Sequence, residues 1–146
     1  MALAASTFRQ ATVDDISDMS RIRLAVNENR LRDPARVTRQ MYEDFLHRDG
    51  RGWVAQVDGV TVAFSYASRL DGAIWALFVD PQHEGQGLAK HLLGLATAWL
   101  FELGFEQVSL STGAGTRAEM FYTRQGWTRQ SCVDNELTFC LHRPPD

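Results

Sequence analysis

Lysine is almost missing from this chain: Lys90 stands alone against fourteen arginines. Those arginines are scattered from Arg9 to Arg143, so the skew reads as codon or lineage bias and not as a binding patch. At a formal charge of -3 the chain lacks the clustered cations that phosphate backbones demand, which argues against nucleic acid as its main partner. Cysteine is scarce too. Cys132 and Cys140 have no metal-ligand spacing, so no metal site is expected, and two free thiols in a reducing, cytoplasmic setting are. A disulfide between them would need their strands to pair. Long apolar runs are absent: the most apolar stretch, Leu92 to Phe101, is too short to span a bilayer. Met1 to Ala5 has neither the basic flank nor the apolar length of a signal peptide, so a soluble, intracellular protein is expected. No repeat or linker divides the chain. Its 146 residues suit one domain, residues 1–146, able to bury roughly two-thirds of the surface the unfolded chain exposes.

What is present is an ordered series of helical and strand patterns. Phe8 to Ala11 alternates weakly, as a short strand does. Thr12 then offers a helix N-cap, with Asp14 and Asp15 placed to suit the helix dipole. Ile16, Met19, Arg23 and Val26 follow at helical spacing, predicting a first helix to about Asn27. Asp33-Pro34 breaks the chain. A second helix is predicted from about Thr38, with Met41, Tyr42, Phe45 and Leu46 on one face, ending at Asp49-Gly50. Two apolar runs, Trp53 to Val57 and Val60 to Ala67, flank the hairpin signal Asp58-Gly59. Ala73 to Val79 makes a third strand after Asp71-Gly72. Leu88, Leu92, Leu95, Ala96, Trp99 and Leu103 then draw one helical stripe, which Gly104 closes. Gln107 to Leu110 reads as a strand, so a crossover with parallel strands is expected. A short helix from about Thr116 to Gln125 and two strands, Trp127 to Gln130 and Leu137 to His142, complete a mixed α/β sheet with helices on its faces.

Chemistry concentrates in the stretch from Leu77 to Ala89. A strand ends at Val79, and Pro81 stops it because proline cannot donate to a ladder. Gly85 and Gly87 then open the long helix, where glycine admits backbone shapes and close approaches that a Cβ forbids. The first amides of a helix lack intrahelical partners, and the dipole adds positive potential. Together these form a diphosphate cradle that needs no basic side chain. The dinucleotide-binding fingerprint wants a third glycine and an early strand before it, and both are missing.

The segment resembles the coenzyme-A-binding motif of the GNAT superfamily of N-acetyltransferases, Q/R-x-x-G-x-G/A, here carried by Glu84, Gly87 and Ala89 after Val79-Asp80-Pro81. A second match runs from Ala118 to Trp127, similar to the family's A-x-x-F-Y-x-x-x-G-F/W segment. The resemblance covers nearly the whole chain. It implies a central six- to seven-stranded mixed sheet flanked by about four helices, with acetyl-CoA as co-substrate and no metal. It also implies cofactor contacts from Leu77, Phe78, Val79, Glu84, Gly85, Gln86, Gly87, Leu88, Ala89, Thr116 and Tyr122. Two positions depart from the pattern. Glu84 replaces the usual Gln or Arg, placing a carboxylate near a diphosphate, and weaker cofactor binding is expected. Thr116 stands where many members carry an Asn that contacts pantetheine.

The resemblance further implies that the strands at 73–79 and 107–111 splay, so that pantetheine lies between them against the backbone of Leu77 and Val79. A backbone N–H near Leu77 or Phe78 would polarise the thioester carbonyl. Tyr122 is the expected general acid, since a phenol near 10 and a thiol near 8.5 can exchange a proton without large retuning. For the general base three routes stand open: Glu28, a water relay, and His83. The acceptor, expected to be a small molecule bearing a primary amine, would meet Asn27, Glu28, Arg30 and Arg32 between the first two helices. The last hairpin around Asp134 to Glu136 is a second acceptor-facing segment. Trp75 fits either an acceptor pocket or the core. The rival reading is a non-catalytic acyl-CoA sensor; a protein amine as acceptor, a longer acyl chain and a homodimer also stay open.

Overall fold

The structure is a computed structural model that describes residues 6–25 and 39–144. The entry to the first helix shows how local chemistry sets the chain's course. Strand β1 (Ser6–Gln10) ends just before Thr12, whose hydroxyl accepts from the Asp14 amide at 3.3 Å. The Asp15 carboxylate accepts in return from the Thr12 amide at 2.8 Å, closing a capping box around a 3-10 turn, Val13–Asp15. Arg9 grips the same carboxylate with two bonds of 2.8 Å, tying β1 to the helix that follows. That helix, α1 (Ile16–Ala25), buries Ile16, Met19, Ile22 and Arg23. The expected Val26 contact and the extension to Asn27 lie outside the described residues. Helix α2 (Arg39–Asp44) buries Tyr42 and relaxes into a π turn, Phe45–Asp49, before the sheet resumes.

Strands β2 (Gly50–Val57) and β3 (Val60–Ser68) form the hairpin signalled by Asp58-Gly59. Both turn residues have positive φ, 52° and 81°, the geometry that matches strand twist. β2 begins three residues earlier than the apolar run suggested, because Gly50 and Gly52 pair with β3 without offering an apolar side chain. A Cβ at Gly52 would sit 2.9 Å from the Tyr66 ring. Strand β4 (Ala73–Val79), helix α3 (Leu88–Glu102), strand β5 (Gln107–Gly113), helix α4 (Arg117–Arg124), and strands β6 (Thr128–Val133) and β7 (Glu136–His142) follow.

The seven strands make one sheet in the order β1-β2-β3-β4-β5-β7-β6. Every neighbouring pair is antiparallel except β4 and β5, which α3 connects as a parallel crossover. Period-two alternation divides β2 between two cores. Trp53, Ala55 and Val57 face α3, together with its Leu88, Leu92, Ala96 and Leu100, while Val54 faces the α1–α2 side with Met19, Ile22, Tyr42 and Phe64. Leu92 and Leu100 are fully buried, each contributing roughly 1.5–3 kcal/mol of hydrophobic stabilisation. The mixed sheet with four α-helices among the described residues matches the expected architecture. Both thiols are free, as expected: β6 and β7 pair, but Cys132 lies opposite Leu137 and Cys140 opposite Thr128.

Candidate active site

The site opens where the sheet does. β4 and β5 share only the Ala73↔Ser109 register pair, so the strands part and leave one edge of β4 unpaired from Ala76 to Val79. Just past that edge, the Asp80 carboxylate accepts from the Gln82 amide at 3.1 Å and Pro81 opens a 3-10 turn, Pro81–His83. Gly85 and Gly87 follow with φ of 79° and 83°, a left-handed geometry that L side chains adopt at a cost. A Cβ at either would meet nothing within 4 Å. Backbone conformation, rather than crowding, therefore demands glycine here, and the same open space exposes the backbone to a ligand.

Helix α3 starts without a side-chain cap, and its first bond runs from the His91 amide to the Gly87 carbonyl at 3.2 Å. The amides of Leu88, Ala89 and Lys90 precede that bond and have no partner within the helix. These three residues line a cleft of about 520 Å³ whose other walls come from Leu77, Phe78 and Val79 on β4, the glycine turn, and Ala118, Phe121 and Tyr122 on α4. Of the expected cofactor residues, nine line this cleft: Leu77, Phe78, Val79, Glu84, Gly85, Gly87, Leu88, Ala89 and Tyr122. Gln86 and Thr116 are not among the lining residues. The Thr116 hydroxyl is occupied as the N-cap of α4, donating to the Gly113 carbonyl at 2.8 Å and accepting from the Glu119 amide at 3.3 Å.

Charge at the mouth differs from what the motif alone suggested. Glu84 is paired with Arg117 at 2.6 Å, across from the first turn of α4. The carboxylate expected to repel a diphosphate is thus offset by a guanidinium that also lines the cleft, as do Lys90 and Arg124. Sequence reasoning missed Arg117. Its signal was its place one residue ahead of the Ala118 to Trp127 segment.

Tyr122 is 6% exposed and packs against Phe121, Trp127 and Phe139 at ring distances of 5.3, 5.8 and 5.9 Å. Burial pushes its phenol well above the ordinary value near 10, so the hydroxyl keeps its proton throughout the neutral range. His83 also borders the cleft, and its Nδ1 is buried with no partner among the described residues.

On the sheet's other face, β3 and β4 slip register beside Trp75, with Tyr66 opposite Ala76 and Ala67 opposite Ile74. The bulge turns Trp75 toward Tyr66 and Tyr42, at ring distances of 5.3 and 5.8 Å. Trp75 does not line the cleft described above. Asn27, Glu28, Arg30 and Arg32, the expected acceptor-facing residues, lie outside the described residues. So Glu28 as base has no geometry to weigh. Among the described residues no cluster of three or more His, Cys, Asp or Glu is placed to hold a metal, and no helix is long and apolar enough to cross a membrane.

Comparison with known proteins fits this arrangement. The family model described as the acetyltransferase (GNAT) family matches residues 16–127. The chain therefore belongs to the GNAT acetyltransferase family. No curated protein sequence matches it, whereas solved structures do. It is similar to the PaiA N-acetyltransferase from Thermoplasma acidophilum in complex with coenzyme A, at 12% identity and a TM-score of 0.81, covering 95% of this chain and 99% of that one. It is similar to Ard1 from Thermoplasma volcanium at 19% identity and a TM-score of 0.80, covering 97% and 99%. The ribosomal-protein-S18-alanine N-acetyltransferase from Escherichia coli gives 16% identity and a TM-score of 0.76, covering 94% of each chain. At such identities these neighbours speak for the fold alone.

Proposed function

We propose that this protein is an N-acetyltransferase that moves an acetyl group from acetyl-CoA to the primary amine of a small acceptor by direct attack. The observation that carries the reading is the meeting, in one cleft, of an uncapped helix start, a glycine turn and an unpaired strand edge. Family membership and the coenzyme A bound in the Thermoplasma acidophilum neighbour support the choice of cofactor.

Each part of the cleft answers one part of that cofactor. The amides of Leu88, Ala89 and Lys90 would hold the diphosphate, with Arg117, Lys90 and Arg124 adding positive charge nearby. The open edge of β4 offers backbone donors and acceptors to the pantetheine amides, as an added strand would. Bound there, acetyl-CoA supplies an activated acyl group on a thiol leaving group. An N–H near Leu77 or Phe78 would stabilise charge on the acyl oxygen, worth a few kcal/mol for a donor fixed in place. Tyr122, protonated and largely shielded from water, would donate its hydroxyl proton toward the departing sulfur. An acceptor amine must first lose a proton, at a cost of roughly 4–5 kcal/mol at neutral pH, through Glu28, His83 or solvent.

The test is release of free thiol from acetyl-CoA in the presence of an amine panel, alongside calorimetry of acetyl-CoA binding. Binding with amine-dependent release is expected. Binding without release for any amine would leave an acyl-CoA sensor, and no binding would remove the reading altogether.

A further inference from the structure

Arg23 on α1 is the outlying charge among the described residues. It is 7% exposed, yet no carboxylate among those residues pairs with it. Its Nε donates to the Tyr42 hydroxyl at 3.1 Å, while Nη2 is buried with no hydrogen-bond partner. Asp15, the buried acid among the described residues, is held by Arg9 and the Thr12 amide. The faces of Trp75 and Phe78 lie 5.1 and 4.7 Å from the Arg23 Cζ. Aromatic faces attract a cation but give no acceptor in the plane of its fork. A buried guanidinium with an idle N–H and no carboxylate beside it among the described residues can take an anionic partner from a ligand.

Phe78 connects this charge to the cleft, since it lines the cleft and also stacks beside Arg23. Phe78 and Trp75 belong to the core cluster on the face of the sheet away from α3, and the guanidinium lies against them there.

We infer that Arg23 binds a carboxylate of the acceptor, so that the acceptor carries an acid as well as an amine, as a free amino acid does. This rests on the proposed transferase activity and narrows its substrate class. A planar guanidinium beside aromatic faces suits a planar carboxylate, whose oxygens match the donors of its fork.

The experiment compares free amino acids with their own carboxamides and with the corresponding decarboxylated amines, on the full chain with acetyl-CoA. For the best acceptor, the acid should exceed its carboxamide about 100-fold in kcat/KM, mostly through KM, the scale of an unpaired buried charge. Arg23→Gln should bring acid and carboxamide within about threefold of each other, and Arg23→Lys should restore part of the preference. Because Arg23→Gln can misfold, the wild-type comparison decides first. Intrinsic tryptophan fluorescence, with Trp75 beside the guanidinium, reports binding of the same acids to the acetyl-CoA complex. Carboxamides or plain amines accepted as well as acids would overturn the inference. So would acids that neither bind nor react, or a folded Arg23→Gln that keeps the preference. Failure of the transferase reading would look different: no acetyl-CoA binding, or no thiol release with any amine at all.

Discussion

The two faces of the sheet are built to bind by different means. On the α3 face the site is mostly backbone: helix amides, two left-handed glycines and an unpaired strand edge. On the α1–α2 face it is side chains, with Arg23 lodged among Tyr42, Trp75 and Phe78. A backbone site depends on chain geometry and tolerates many side chains, provided glycine stands where φ is positive. A side-chain site is specific to the residues that make it. One family can therefore share the first and vary the second, and the cofactor half of this chain is the half whose chemistry can be named from pattern.

The sharpest way to break that contrast is to disturb geometry without adding bulk in the wrong place. Gly87→Val puts a β-branched residue at φ 83° where its Cβ meets no neighbour, so any loss comes from the backbone turning away. Acetyl-CoA affinity should fall about 100-fold or more by calorimetry, with only a modest drop in melting temperature. Unchanged affinity would mean that side chains, and not amides, hold the diphosphate.

Tyr122→Phe asks whether one side chain matters on the backbone-built face. Turnover should fall about tenfold or more while acetyl-CoA affinity barely changes. Because burial raises the phenol, Tyr122 stays protonated below about pH 10, and its loss should not alter the shape of the rate profile under that pH. A rate limb near neutrality that vanished in the variant would contradict this, and unchanged turnover would remove the role.

The Glu84–Arg117 pair sharpens the comparison at smaller scale, being a side-chain adjustment to a backbone cradle. Removing the carboxylate charge makes the mouth of the cleft more positive, so Glu84→Gln should tighten acetyl-CoA about two- to fivefold. Arg117→Gln should weaken it by a similar factor. Both effects should shrink as salt is added, since the pair is partly exposed. Weaker binding by Glu84→Gln would make the carboxylate a ligand in its own right.

Legibility in the sequence followed the same division. The α3 stripe from Leu88, the Asp58-Gly59 hairpin and the Gly85–Gly87 turn were all readable, because period, turn chemistry and helix ends are local properties. β5 ran past its predicted end at Leu110 to Gly113, since pairing with β7 continues as far as Glu136. The bulge at Trp75 and the Glu84–Arg117 pair were hidden, for each depends on residues far apart in the chain. Arg23 was visible only as a member of a helical stripe. Its meaning came from burial and from the absence of a paired carboxylate among the described residues, and neither is a property of a spacing.

A change in stability tests whether the side-chain face can be perturbed without touching the cradle. Asp15 is buried at the entry to α1. Burial alone would raise its carboxyl, but the Arg9 hydrogen bonds, the Thr12 amide and the Arg9 charge outweigh burial and hold it below the usual range. A carboxyl depressed in the folded state stabilises fully above its unfolded value, near 4, and loses that contribution as pH falls through the folded value. Asp15→Asn keeps the shape and removes the charge, so it should cost about 1–2 kcal/mol at neutral pH, seen as a lower melting temperature. The difference between the two proteins should narrow as pH drops below about 4. Acetyl-CoA affinity at neutral pH should stay as it was, because Asp15 belongs to the capping box at the far end of β1 and not to the amides of α3. A matching loss of affinity would mean that the two faces are coupled through the sheet, and the division between a shared backbone half and a private side-chain half would have to be abandoned.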